Sequence, residues 1–371
     1  MLLLKNNIVV IGGYGKVGQT ICMDLAVAFP GKVYAAGRNI EKAKRFCEST
    51  GNCVLPLQVD ATLMPSKKWL SDAALVISCL DEADASFAAS CLENGCNFIT
   101  ISADRNLLAD MEKLPSAEGC CVLGVGLAPG LTNLLAQYAS SGLDEIESVD
   151  LSVLLGLGEK HGKAAIDWTM NSIASVYYVN TKSHPVQIRS FTGKRTVDLG
   201  EFGKRSTYLF PFPDQFSLIG SLGAKTVHTR LCFDSQIITR LVAAAAKVGI
   251  TRLLHRRYIR SVLTKILSIP FGTNAYAIKA EAKGMVNGEF TDKWCMLSGK
   301  EEAQITAAVT TCVAKLMLRN PTPSGQHYIE DLFRISGTDH LPMIQLKHTL
   351  DEEVLPININ WADSKNKKTT A

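Results

Sequence analysis

The chain has 371 residues, 47% of them hydrophobic and 20% charged, with a formal net charge of +4. That balance excludes a disordered chain and argues against a nucleic-acid partner, the only compact basic run being Lys365–Lys368, while the length predicts two domains. No run approaches the ~20 uninterrupted apolar residues of a membrane-spanning helix, and Lys5-Asn6-Asn7 breaks the opening Met1-Leu2-Leu3-Leu4 before a secretory core can form, so a cytoplasmic location with no membrane partner is expected.

Up to residue 130, short apolar runs alternate with helical patterns, the signature of a parallel sheet with crossover helices. The expected strands are Ile8–Ile11, Val33–Ala36, Val54–Val59, Ala74–Cys79, Phe98–Ile101 and Cys121–Val125. Lys16 to Phe29 carries Val17, Ile21, Leu25 and Phe29 at helical spacing, one apolar stripe for the sheet to bury. After Gly126-Leu127-Ala128-Pro129-Gly130 the pattern changes. Thr132 or Asn133 starts a helix through Tyr138, and longer strands follow at Val149–Leu157, Gln187–Phe191 and Tyr276–Met285, predicting a mixed or antiparallel sheet. Helical patterns span Ser235–Leu267, broken near Gly249, and Lys300–Leu318. Pro321 to Gly325 then punctuates the chain, and His327–Phe333 is expected to pack back on the first domain.

Gly12-Gly13-Tyr14-Gly15-Lys16-Val17-Gly18 contains G-x-G-x-x-G at Gly13, Gly15 and Gly18. The motif follows an apolar strand and opens an amphipathic helix, the context in which it reads as a dinucleotide-binding turn. Gly13 is assigned to the tight turn, Gly15 to the approach of a pyrophosphate, and Gly18 to close helix–strand packing. The helix N-terminus offers free N–H groups and a partial positive charge to the phosphates.

Cofactor choice is read about 20 residues further on, where Asp or Glu would hold the ribose 2′-hydroxyl of NAD. This chain has Ala35-Ala36-Gly37-Arg38-Asn39 there. The Arg38 guanidinium suits a 2′-phosphate, which favours NADP (NADPH) over NAD. Alternatively Arg38 is a solvated charge or stacks on adenine in an NAD site. The cofactor-binding set is Gly13, Tyr14, Gly15, Lys16, Val17, Gly18, Arg38, Asn39, Asp60, Ala61, Cys79, Leu80 and Ser102. Asp60 is assigned to the adenine or to capping the next helix, and Cys79 to lining rather than nucleophilic chemistry. The eleven cysteines include no C-x-x-C pair, Cys91 and Cys96 being too far apart and Cys120-Cys121 adjacent, so they read as reduced structural thiols with no metal site.

The glycine-rich opening, the stretch Cys91–Ile101, the segment Gly124-Val125-Gly126-Leu127-Ala128-Pro129-Gly130-Leu131-Thr132-Asn133, and Gly158-Glu159-Lys160-His161-Gly162 resemble the saccharopine dehydrogenase-like oxidoreductases, which include saccharopine reductase and carboxynorspermidine dehydrogenase. The resemblance implies an α/β fold: a Rossmann doubly wound parallel sheet over 1–130, an α+β substrate and dimerisation domain over 131–325, and a segment over 326–371 that returns to the Rossmann domain. It also implies a homodimer and reversible hydride transfer at a carbon bonded to nitrogen. One departure stands out. Members commonly carry Asp in a Tyr-Leu-Asp-Thr-Ser-like run, where this chain has Phe98-Ile99-Thr100-Ile101-Ser102 with Asp104 beyond it.

Imine reduction needs a proton donor and cations for substrate carboxylates. The second domain offers Glu159-Lys160-His161-Gly162-Lys163 followed by Asp167 and Trp168. His161 or Lys163 is the expected proton donor, with Asp167 orienting it or binding a substrate amine; the competing reading is a set of solvated charges at a strand–helix turn. Arg189, Arg195 and Arg230 are either a carboxylate clamp or ordinary surface charges. The leading function is an NADP-dependent dehydrogenase acting on an imine, secondary amine or amino acid. Alternatives are an NADPH-dependent reductase of a C=C bond or ketone in a larger apolar substrate, lined by residues from Ser235 onward, and a non-enzymatic NADP-binding regulatory protein.

Overall fold

The apolar runs of the N-terminal part become β1 (Asn7–Ile11), β2 (Val33–Gly37), β3 (Leu55–Gln58), β4 (Ala73–Ser78), β5 (Asn97–Thr100) and β6 (Cys120–Leu123). This is a computed structural model, and it describes residues 5–80, 85–159, 163–180, 185–256, 258, 261, 264, 271–336, 342–355 and 360–364. They fall into two compact units, the first drawn from Met1–Leu131, Ala303–Ser336 and Met343–Pro356, the second from Thr132–Glu302, Gly337–Pro342 and Ile357–Ala371. The first unit takes up the chain again over Ala303–Ser336 and Met343–Pro356.

In the first unit the strands lie in the order β6-β5-β4-β1-β2-β3, all parallel, and the strand Gly325–Tyr328 pairs in parallel with the outer edge of β6. The expected return of His327 is therefore the addition of a seventh strand. Order reverses between β1 and β4, the switch point where the carboxyl ends of the strands leave a crevice in sheets of this kind. Helix α1 (Lys16–Ala28) buries Gly18, Ile21, Cys22 and Leu25. Each large aliphatic side chain so buried contributes about 1.5–3 kcal/mol. Phe87, Ala88, Cys91, Leu108 and Met111 share a buried core with Val9, Ile11, Val76 and Phe98 of the sheet, and this double cover explains the near-continuous apolar strands.

The returning helix Glu302–Arg319 is buried through Ile305, Ala308, Val309, Thr310, Val313 and Leu316. Its Thr310 hydroxyl donates to Thr306 O at 2.8 Å, so the mid-helix threonine is satisfied within its own helix.

The second unit is built on a mixed sheet. Its strands β7 (Glu145–Leu155), β10 (Arg195–Asp198), β11 (Lys204–Leu209), β12 (Val227–Phe233), β13 (Ala275–Val286) and β14 (Glu289–Lys300) follow the order β10-β11-β12-β7-β13-β14, with Asn360–Asp363 at the far edge. A separate hairpin, β8 (Val176–Asn180) with β9 (Pro185–Arg189), accounts for the expected Gln187–Phe191 strand. Among the described strand pairs of this sheet only β12 with β7 is parallel. The β13–β14 hairpin turns at Asn287-Gly288, both at positive φ (51° and 82°), the residues that a right-twisted two-residue turn requires.

One charged network crosses this sheet. Asp150 on β7 accepts ion pairs from Arg230 on β12 and from Arg195 on β10, the latter at 3.0 Å, and Arg195 also reaches Glu281 on β13 at 3.0 Å. These arginines are half-buried partners of acids, neither a free carboxylate clamp nor solvated surface charges. Arg189 instead donates to Ala246 O at 3.2 Å.

Asp214 is fully buried, accepts from the Thr229 hydroxyl at 2.6 Å and also from Thr132. Burial outweighs these bonds and pushes its carboxyl up from 3.8 to about 6. Between those values the folded chain keeps a proton that the unfolded chain has lost. The resulting stabilisation is full below about pH 4 and is lost as pH rises to about 6, a loss of roughly 3 kcal/mol. Asp214→Asn cannot ionise, so its melting temperature should exceed that of the parent at pH 8 and lose this advantage at pH 4. An equal difference at both pH values in thermal denaturation would show that Asp214 does not titrate between them.

No helix among the described residues is long and apolar enough to cross a membrane.

Candidate active site

The glycine loop leaves β1 at the switch point, and its geometry redistributes the roles expected of its glycines. Gly12, not Gly13, has the left-handed backbone, φ +76°. A Cβ on Gly13 would stand 2.7 Å from Ala35 Cα and 2.7 Å from Val10 O, both backbone atoms that cannot yield. One on Gly18 would stand 2.3 Å from Gly12 O and 2.8 Å from Gly13 Cα. Gly13 therefore lets the loop lie against β2, and Gly18 lets α1 lie against the loop. Gly15 caps α1 without a side-chain hydrogen bond, and both Gly15 and Lys16 are exposed. The helix start thus keeps its amides clear of any side-chain cap, a fit to a phosphate-bearing ligand.

Tyr14 ties this loop to the end of β2. Its ring lies where a Cβ on Gly37 would be, 2.5–2.7 Å from Oη, Cε1 and Cζ, and its hydroxyl accepts from the Asn39 amide at 3.1 Å. Gly37 is consequently as constrained as the motif glycines, and its position directly before Arg38 was the signal for it. Asn39 caps helix α2 (Ile40–Ser49), its side chain accepting from Lys42 N at 3.0 Å.

Arg38 is exposed beyond β2, and its carbonyl accepts from Gln58 Nε2 at 3.1 Å. Its charge is felt at Asp60, past the end of β3. There the Thr62 hydroxyl (2.7 Å) and amide (3.0 Å), followed by Arg38, hold the carboxyl below the usual carboxylate range. Asp60 thus organises a turn with Thr62, and Ala61 beside it is buried.

Cys79 and Leu80 follow β4 and pack against Gly12, whose added Cβ would meet Leu80 Cδ2 at 3.1 Å and Cys79 Cβ at 3.4 Å. Burial pushes the Cys79 thiol up to about 12, so it stays protonated near neutrality, the opposite of an activated nucleophile. All eleven cysteines are free thiols. Among the described residues no group of His, Cys, Asp and Glu is arranged to hold a metal.

After β5 the turn is run by hydroxyls. Thr100 is fully buried and accepts from Ser102 N at 3.2 Å; Ser102 Oγ accepts from Asp104 N at 3.0 Å. Asp104 in turn caps the helix Arg105–Glu112 through Asn106 N (2.8 Å) and Leu107 N (3.0 Å). The nearest carboxylate after β5 is therefore spent on a helix start.

After β6, Gly124 (φ +64°) and Gly130 (φ +128°) frame a buried loop in which Ala128-Pro129 is cis and Leu131 N donates to Gly126 O at 2.8 Å. In the second unit, Asn133 donates to Ser217 Oγ at 2.9 Å, and Thr132 holds Asp214.

The expected catalytic cluster resolves unevenly. His161 lies outside the described residues, with Lys160 and Gly162. Lys163 opens the helix Lys163–Ala174, and half-exposed Asp167 follows one turn along it. Their flanking residues have structural work: Glu159 is buried and accepts from Glu302 N at 2.7 Å, and Trp168 packs on Phe210 and Phe212.

Residues 8–121 match the saccharopine dehydrogenase NADP binding domain. No curated protein matches the sequence. Among solved structures, the apo saccharopine dehydrogenase (L-Glu forming) of Saccharomyces cerevisiae superposes with a TM-score of 0.60 at 12% identity, over 88% of this chain and 95% of that one. The DAP dehydrogenase of C. glutamicum in complex with DAP gives 0.44 at 12% identity, over 88% and 94%. At these identities the likeness is one of fold, and of these two the yeast enzyme supports it. A Gly13→Val variant, with its side chain forced onto the β2 backbone, should lose about 1–3 kcal/mol of stability and its dinucleotide binding; unimpaired binding in a fluorescence titration would remove the loop from the site. Residues 8–121 are thus a domain of the saccharopine dehydrogenase NADP binding family, and the chain as a whole shares the fold of the yeast saccharopine dehydrogenase.

Proposed function

We propose that the chain is an NADP-dependent dehydrogenase that moves a hydride to or from a carbon–nitrogen bond, in an imine, a secondary amine or an amino acid. The observation that carries the cofactor choice is Arg38. It stands exposed directly after β2, where an NAD site would place a carboxylate, and it brings a planar cation suited to a 2′-phosphate. The matching NADP binding domain supports the same reading. The carbon–nitrogen chemistry is carried over from saccharopine dehydrogenase, the name of both the domain family and the structural neighbour.

The residues divide the work as follows. Gly13 and Gly18 let the loop pack against β2 and α1, Gly15 lets the pyrophosphate approach the backbone, Tyr14 holds the loop against Gly37, and Arg38 reads the 2′-phosphate. The cofactor, when bound, supplies or accepts the hydride. Cys79, held as a thiol, and Leu80 shield the strand end without competing chemistry. His161 or Lys163 delivers the proton to the substrate nitrogen, and Asp167, one turn beyond Lys163, orients the donor or binds the amine. Arg195 and Arg230 are given no part in holding the substrate, because Asp150 and Glu281 between them already pair with both.

The apolar-substrate reading loses its support in the helix Gln236–Lys247, whose Ile237 and Leu241 are 71% and 64% exposed rather than lining a pocket.

The purified chain should bind NADPH at least tenfold more tightly than NADH, and Arg38→Ala should weaken NADPH by about 10–100-fold while leaving NADH unchanged. Equal affinities unaffected by the substitution would sink the NADP assignment. NADPH oxidation should need both an amine and a carbonyl compound. In that assay His161→Ala should cut turnover strongly at unchanged NADPH affinity; unaltered turnover would take His161 out of the mechanism. Tight cofactor binding with no substrate that accelerates its oxidation would favour a regulatory protein instead.

A further inference from the structure

Two observations on the second unit converge on one surface. The helix Gln236–Lys247 buries Thr239, Ala243 and Ala246 on one side. On the opposite side Ile237, Leu241, Ala244 and Val248 recur at helical spacing and are exposed, Ile237, Leu241 and Val248 at 71%, 64% and 69%. Ile250 and Leu253 continue the exposed aliphatic residues past the break at Gly249. Scattered exposed aliphatics are ordinary, but a second apolar stripe along one helix is not.

The second observation is charge. Between Asp234 and Glu281 the sequence holds eight Lys and Arg and no Asp or Glu. Arg240 and Lys247 lie beside the stripe and are exposed, as are Arg252 and Arg256 beyond it. Arg189 adds a cation at the C-terminal end of the helix, donating to Ala246 O. Asp234, the acid nearest in sequence, is held by the Ser235 amide (2.8 Å) and by the amide and hydroxyl of Thr273 (2.6 and 2.9 Å).

We propose that this face docks on an anionic lipid surface, the helix lying in the membrane plane with its aliphatic stripe among the acyl chains and its cations among the headgroups. An apolar stripe rimmed by Lys and Arg is what such a surface selects: burial of the stripe supplies the contact, and headgroup charge draws in the rim. Like charge argues against a second copy as the occupant, since two-fold pairing of this face would set each basic rim against its twin. Spanning is not required, so the absence of a long apolar run is no obstacle to such docking.

The test is co-sedimentation of the full chain with vesicles of equimolar phosphatidylcholine and phosphatidylglycerol, and with phosphatidylcholine alone. Binding to the anionic vesicles should be at least about tenfold the stronger and should fall as salt is raised. The double variant Ile237→Asp, Leu241→Asp should lose at least about tenfold in vesicle affinity with an unchanged melting temperature, both positions being exposed. Three results would each overturn the proposal. The parent chain could stay in the supernatant of anionic vesicles, or parent and double variant could sediment alike. Or sedimentation velocity could show a dimer that Leu241→Asp dissociates, which would make this face an interface between copies.

Discussion

Nothing larger than hydrogen can occupy the side-chain position of residue 13. The strand β1, the loop that leaves it and the neighbouring β2 come together there at backbone contact, and α1 closes on the same loop at Gly18. Because β1 lies between β2 and β4, this contact also fixes where the strand order reverses and so where the carboxyl ends of the strands open. Tyr14 extends the constraint sideways, bridging the loop to Gly37 and Asn39 and thereby setting Arg38 just past the end of β2. The features that suit a dinucleotide are thus one steric arrangement seen from different sides.

Around that arrangement the polar side chains are largely committed to shaping backbone. Asp60 holds Thr62, Asn39 and Asp104 begin helices, and Thr100 and Ser102 brace the turn after β5. A carboxylate that satisfies two orphan helix amides is a poor candidate for chemistry, since losing it would cost the helix its start. The run Thr100–Asp104 therefore leaves no uncommitted acid after β5.

The second unit shows the same economy with stronger charges. Arg195 and Arg230 share Asp150, and Arg195 also binds Glu281, linking four strands of one sheet. Half-buried ions are costly to leave unpaired, so removing Asp150 would strand two arginines at once. Asp214 is the exception: it is buried with hydroxyl partners and no cation, and its raised pKa records that lack.

What the sequence determined by itself was whatever depends on local spacing. The period of the apolar runs gave the six parallel strands and α1 to within about two residues, and Gly13, Gly15 and Gly18 marked the loop because each is required within a few residues of the next. The position of Arg38 was equally legible, being a fixed distance along the same unit. Only the tertiary structure decided what each polar residue faces. It moved the left-handed turn to Gly12, gave Gly37 to the Tyr14 ring, put Asn39, Asp104 and Glu159 on helix starts, and paired Arg195 and Arg230 with an acid far away in sequence. It also placed Ala303–Ser336 and Met343–Pro356 in the first unit and turned Ile237 and Leu241 outward. The physical reason is the same in each case: periodicity records which face of an element is apolar, whereas the partner of a charge or hydroxyl is set by chain segments that sequence distance does not bring near.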